Sequence, residues 1–154
     1  MASGPERVQA ALDALELEIQ VLRVPGSAKT AGLAAEAVGC PVGAIVKSLV
    51  FVAGGTPVLV LCPGDRRVDP AKLAAQLGVD VVAMAPPDIV RAATGYAIGG
   101  VPPLGHATRL PILLERALLA WPTVYGAAGA PDALFPIAPA TLAAVTGAQV
   151  VDVT

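Results

Sequence analysis

The sequence contains no asparagine, a single histidine and only two cysteines. Cys40 and Cys62 show no CxxC spacing and no neighbouring histidine, so neither a zinc site nor a redox pair is expected. In a reducing compartment a structural disulfide is not expected either. Long apolar runs are missing too. The best candidate breaks at Gly54, Gly55, Thr56 and Pro57, short of the roughly 18 to 20 residues a helix needs to cross a bilayer. The opening MASGPERVQAAL has no basic flank leading into an apolar core, so no secretory signal is read and a cytoplasmic location is the default expectation. Charge is scarce: 10 basic against 12 acidic residues leave a formal net charge of -2, so any RNA contact must come from local clusters rather than an overall field. The lack of asparagine together with proline-rich loops fits a thermophilic or GC-rich source.

What is present is a chain of 154 residues, 55% hydrophobic with a mean hydropathy of +0.71, and enough of it to bury one core. One domain over 1–154 is expected. Ser3 and Glu6 are spaced as a capping box ahead of Val8, Ala11, Leu12 and Leu15, which predicts a helix over 4–17. A short strand over 19–24 ends at Pro25 and Gly26, and Thr30 caps a helix over 31–38 that stops at Gly39. Residues 44–62 read as two strands joined at Gly54 and Gly55, a hairpin turn that needs positive φ. Asp69 and Pro70 open a helix over 71–77. Residues 79–84 read as an inner strand, 88–94 as a short helix, 110–115 as a strand and 116–121 as a helical turn. Strands over 123–126 and 133–137, a helix over 141–145 and a strand over 149–153 complete the order. Strands and helices mix without regular βαβ alternation, so the expected fold class is α+β, a mixed, curled, barrel-like sheet surrounded by helices.

The stretch AIVKSLVFVAGGTPVLVLC over 44–62 carries a lysine in apolar company. Ile45, Lys47, Leu49 and Phe51 share one face of the strand and Val46, Ser48, Val50 and Val52 the other. A lysine removed from water loses hydration worth several kcal/mol, so Lys47 must find a partner, snorkel, shift its pKa or line a cavity. Two readings stand open: a charge near a strand end that discourages edge pairing, or a functional cation. Further on, YAIGGVPPLGH over 96–106 has too much glycine and proline for an ordinary strand and reads as a rigid apolar loop. It is neither a Walker loop nor a Rossmann fingerprint. Backbone at Gly99 and Gly100 can approach a ligand closely while Pro102 and Pro103 stiffen the loop, the logic of an oxyanion hole; a tight structural turn is the other reading.

IVKSLVF over 45–51, TAGLAAEAVG over 30–39 and TGYAIGGVPPLG over 94–105, with YGAAG over 125–129 and the closing TGAQVVDVT, together resemble the YbaK/ProX family of aminoacyl-tRNA deacylases. That family is related to the editing domain inserted in bacterial prolyl-tRNA synthetases. The resemblance covers nearly the whole chain. It implies hydrolysis of the ester joining a wrong amino acid to the terminal adenosine of tRNA, usually the proline tRNA, with no metal or cofactor. It implies that Lys47 is the essential catalytic side chain and that substrate contacts come from Thr30, Ser48 and the loop residues Gly99, Gly100, Val101, Pro102, Pro103, Leu104, Gly105 and His106. Lys47 is expected to hold the ester carbonyl or the terminal phosphate and the loop to orient the adenosine. Partners implied are the acceptor end of an aminoacyl-tRNA and, for recruitment, prolyl-tRNA synthetase; no membrane partner is implied, and nothing in the pattern bears on oligomeric state.

Ser48 stands where alanine-clearing relatives often carry asparagine, which weakens an assignment to alanine, and Glu115 stands where many relatives have aspartate. His106 reads as a loop or capping residue or as a substrate contact. Arg66, Arg67 and Lys72 form the best basic group, for tRNA phosphates or as a solvated loop face. Asp65 and Asp69 read as turn and cap residues. No Ser-His-Asp order or carboxylate pair stands out. The expected function is therefore a free-standing trans-editing deacylase acting on mischarged tRNA-Pro with a small wrong amino acid; the rival is a non-catalytic module that binds tRNA, a synthetase or an aminoacyl ligand in the same cavity.

Overall fold

A computed structural model describes residues 2–154. Helix α1 (Gly4–Ala14) starts on the expected capping box, with Glu6 N–H donating to Ser3 Oγ (3.3 Å) and Ser3 N–H to Glu6 Oε1 (3.1 Å). It ends three residues earlier than its apolar spacing predicts. Glu16 adopts a left-handed φ of 58°, and Leu17 N–H closes back on the Leu12 carbonyl at 3.1 Å, which satisfies an end carbonyl and stops the helix. The strand expected over 19–24 shrinks to β1 (Leu22–Arg23) because the Gln9 carboxamide takes the local backbone groups. It donates to the Ile19 carbonyl (2.9 Å) and accepts from Val21 N–H (2.8 Å), leaving little for a ladder.

Helix α2 (Ala31–Val38) follows the sequence reading at both ends: Thr30 Oγ1 accepts from Leu33 N–H at 3.2 Å, and Gly39 closes the helix at φ 72°. Strands β2 (Ile45–Ala53) and β3 (Thr56–Pro63) form the predicted hairpin, with Gly54 and Gly55 at φ 56° and 81° in the turn. Asp69 caps α3 (Pro70–Leu77) through Ala71 N–H at 2.9 Å. The inner strand expected over 79–84 is corrected to a three-residue margin strand, β4 (Val82–Met84), with Val81 and Met84 well exposed. Its apolar composition suggested burial, but it pairs only with the far end of β2 and nothing covers its outer side chains. After α4 (Pro87–Thr94), residues 96–106 form a loop with no helix or strand, as expected. Strand β5 (Ile112–Glu115), a 3-10 turn (Arg116–Ala120), β6 (Val124–Ala127), β7 (Ala133–Ile137), α5 (Pro139–Thr146) and β8 (Gln149–Val151) follow.

The eight strands make one sheet in the order β1-β7-β6-β2-β3-β5-β8, with β4 pairing to β2 off this path. Pairings β2–β6, β3–β5 and β5–β8 are parallel and the others antiparallel, so the α+β class with a mixed sheet is the observed architecture. It curls without closing, since β1 and β8 end the order unpaired to each other. Alternation along β2 divides the core. Val46 and Val50 join the larger cluster with Leu59, Leu61, Phe135 and α1, while Phe51 and Ala53 join a second cluster under α3. No helix is long and apolar enough to cross a membrane among the described residues.

Candidate active site

Strand β2 is paired along its whole length on one side only. There, every residue from Val46 to Ala53 has a register partner on β3. On the other side β6 pairs with Ile45 and Val46 and β4 with Phe51 to Ala53, so residues 47–50 have no strand beside them. A cleft of about 270 Å³ lies at this gap and touches β2 from Ile45 to Val50. Because the edge is open, the cleft meets side chains from both faces, Lys47 and Leu49 from one and Val46 and Val50 from the other. Its walls are small and apolar: Ala28, Ala31 and Ala34 at the start of α2, Ala127 on β6, and Val90, Val101 and Leu134. Met84 and Ile98, both about 60% exposed, stand at its mouth.

Lys47 is half-buried, and its Nζ donates to the main-chain carbonyl of Arg66. An ammonium carries three donors, so two remain for a ligand. The loop that supplies the carbonyl is itself tied down, because Arg66 Nη1 donates to Thr154 Oγ1 (3.2 Å) and Lys72 Nζ to the Thr154 carbonyl (2.7 Å). Of the basic group read from the sequence, Arg66 and Lys72 thus hold the loop that anchors Lys47. Directly across the ladder from Lys47 lies Cys62, fully buried. Burial pushes its thiol up to about 11 against the opposing pull of the Lys47 charge, so at neutral pH it is a neutral SH group and no nucleophile.

The structure brings Thr30, Lys47, Ser48, Gly99 and Val101 together around the cleft. Gly100 is buried beside it, with its N–H donated to the Ala97 carbonyl (3.0 Å) and its carbonyl accepting from Gly129 N–H (2.9 Å), so one main-chain group closes the loop and the other ties it to the segment after β6. Pro102 and Pro103 are buried supports; the Pro103 ring packs on Gly126, where an added Cβ would meet it at 2.8 Å. Leu104, Gly105 and His106 line a second cavity of about 370 Å³ shared with α1 and α5, away from Lys47. His106 Nε2 sits 2.6 Å from the Pro102 carbonyl, and burial holds its pKa below the ordinary value although that carbonyl pulls the other way. It braces the loop from behind.

Two features escape the sequence reading. Lys29 lines the cleft rim next to Gly99, placing a second cation where a phosphodiester could meet it; its only signal was its position just before the cap of α2. Glu115 is a buried structural carboxylate that accepts from Ala117 N–H (2.7 Å), Val153 N–H (3.0 Å) and the Thr154 hydroxyl (3.1 Å), which gives the residue a role the sequence left open. No cluster of three or more His, Cys, Asp or Glu side chains suited to a metal occurs among the described residues.

The sequence profile of the aminoacyl-tRNA editing domain matches residues 26–145, and the chain belongs to that family. A solved structure described as a candidate trans-editing enzyme for prolyl tRNA synthetase superimposes with a TM-score of 0.94 at 45% identity, covering 100% of this chain and 98% of that one. A protein of Enterococcus faecalis named as a candidate Cys-tRNA(Pro)/Cys-tRNA(Cys) deacylase is 31% identical over 121 residues, 78% of this chain and 74% of that protein. Proline–tRNA ligase of Nitratidesulfovibrio vulgaris is 43% identical over 67 residues, 44% of this chain; the match spans only 12% of that ligase.

Proposed function

We propose that this protein is a free-standing trans-editing deacylase that hydrolyses the ester of a mischarged tRNA, with tRNA-Pro carrying a small wrong amino acid as its substrate. The observation that carries the reading is the cleft itself: Lys47, anchored on the Arg66 carbonyl, opens onto an apolar cavity of about 270 Å³ walled by alanines and valines. A cavity of that size and lining suits a small aminoacyl group, and membership of the editing-domain family supports the reaction class.

An aminoacyl ester is already activated, so positioning and charge stabilisation can supply the rate without a covalent intermediate. Water adds to the carbonyl carbon and the π pair moves onto the carbonyl oxygen. Collapse then expels the ribose oxygen, which takes the proton the water gives up, leaving free amino acid and tRNA. Lys47 supports the developing negative charge with its two unengaged N–H groups, made effective by apolar neighbours that exclude water. Gly99 and Val101 bound the place of the terminal nucleotide, and Lys29 at the rim meets its phosphate.

A panel of aminoacylated tRNAs, varied in both amino acid and tRNA, tests this with wild type and Lys47→Ala. Wild type should release amino acid from a small wrong aminoacyl-tRNA-Pro, and Lys47→Ala should lower that rate on the order of 10²-fold. Saturable binding without release would leave only the binding module, and an unchanged rate in Lys47→Ala would remove the lysine from the mechanism.

A further inference from the structure

The gap beside β2 exposes main chain, not only side chains. In a strand both backbone groups of one residue point to the same edge, and the edge alternates along the chain. Ile45 faces β3, since its carbonyl accepts from Gly64 N–H at 2.8 Å, while Val50 faces the gap side, where its carbonyl accepts from Ala85 N–H at 3.0 Å. Ser48, two residues before Val50, therefore turns its N–H and C=O toward the gap, between the last residue paired with β6 and the first paired with β4. The ladder to β6 stops at Val46 and that to β4 begins at Phe51, and no loop bond among the described residues reaches either group. The side chain leaves the sheet on the Val46 and Val50 face, where Ser48 Oγ is buried with no hydrogen-bond partner among the described residues, while the residue as a whole is half-buried and lines the cleft.

We infer that the main chain of Ser48 docks the aminoacyl group of the substrate. Its N–H donates to the ester carbonyl oxygen and its C=O accepts from the α-ammonium. This is the closely spaced pair of bonds that a residue of an antiparallel strand would make at the same place. The inference rests on the deacylase reading of the cleft and adds to it a reader of the feature every aminoacyl ester shares, an amino group one carbon away from the carbonyl. In such a pairing an L-residue puts its side chain on the same face as that of its partner. The substrate side chain then falls on the Val46 and Val50 side, away from Lys47, whose charge comes from the other face. As the carbonyl oxygen turns into an oxyanion, the Ser48 N–H already points at it and nothing has to reorganise.

The test separates main chain from side chain in the full-length protein. Ser48→Ala keeps both backbone groups; lactic acid incorporated at position 48 by nonsense suppression has the same methyl side chain but an ester oxygen in place of the N–H. Measured against Ser48→Ala, from which it differs only at that backbone position, the lactate protein should lose on the order of 10²-fold in kcat. The substitution also turns the Lys47 carbonyl, which faces β3 opposite Cys62, into a weaker ester acceptor, so the lactate protein should melt somewhat below Ser48→Ala and both are assayed where each is folded. A folded lactate protein as active as Ser48→Ala would overturn the inference. If wild type releases nothing from any aminoacyl-tRNA, the deacylase reading has fallen and this one with it; if wild type turns over and the two variants do not differ, only the Ser48 assignment falls.

Discussion

Replacing Glu115 by alanine should destabilise the fold by about 2 to 4 kcal/mol, because it strips three donors of one acceptor in a place water reaches poorly. Glu115 is 3% exposed, and no ion pair among the described residues includes it. Its carboxylate instead closes the end of the sheet: Oε2 receives Ala117 N–H at the start of the 3-10 turn, and Oε1 receives Val153 N–H and the Thr154 hydroxyl beyond β8. Val153 is fully buried, so its orphaned N–H would cost about 1 to 3 kcal/mol, the part-buried Ala117 N–H about 1, and the Thr154 hydroxyl little, since it can turn to solvent. Glu115→Gln keeps a carbonyl oxygen for one side and presents a donor to the other, so it should lose about half as much. At about 2 to 4 °C per kcal/mol for a domain of this size, the alanine variant should melt roughly 4 to 16 °C below wild type, with glutamine between them. Thermal unfolding followed by circular dichroism reads this order. An alanine variant within about 2 °C of wild type would mean that the donors find water and that the carboxylate does not hold the sheet end.

Gly126→Ala places a methyl 2.8 Å from Pro103 Cγ, against a ring that cannot swing aside, so overpacking of about 1 to 3 kcal/mol and a raised KM are expected as the 96–106 loop shifts off the cleft. Gly32→Ala, with nothing within 4 Å of its new methyl, is the control that should leave the melting temperature level or slightly higher; equal behaviour of the two would show that the loop is not seated by this contact. His106 titrates below its ordinary 6.5 because it is buried, so the unfolded chain takes up the extra proton first. Its contribution to stability is therefore complete above 6.5 and is lost as pH falls through the depressed folded value. Urea midpoints measured between about pH 7.5 and pH 5.5 should fall in wild type and flatten in His106→Gln, and identical slopes would refute the assignment.

Helix ends and turns were legible where a single residue decides them. The Ser3–Glu6 box, the Thr30 cap, Gly39 and the Gly54–Gly55 turn all act locally, and the structure has each where the sequence reading puts it. What local pattern could not show were effects of distant residues. The Gln9 side chain captures backbone that apolar residues 19–24 would otherwise offer to a strand, and β4 is a margin strand because its position depends on which end of β2 it meets. The same holds for the site. Lys47 was conspicuous because its charge contradicts its neighbours, and the loop because of its glycines and prolines. The division of that loop between a face on the cleft, Gly99 and Val101, and a face on a second cavity, Leu104 to His106, follows from packing against β6, α1 and α5 and has no signal in spacing.

The two readings of Lys47 in the sequence, an edge-guarding charge and a functional cation, would both act at the same stretch of strand. An unpaired stretch of strand is a template for pairing with another chain, and proteins commonly guard such edges with lysine. Strand β2 has its open stretch at residues 47–50, in the middle of the strand rather than at its end, because β6 and β4 part on either side of it. Lys47 stands at the first residue of that opening, and the Gly99 loop and the start of α2 line the cleft beside it. Four residues of open edge, flanked by β6 and β4, are a short template for another strand, and a charge at the first of them discourages such pairing. On the deacylase reading proposed above, the same charge would also act on the ester, so the lysine would protect the edge and serve the reaction from one place, beside main chain that the fold leaves without a partner strand.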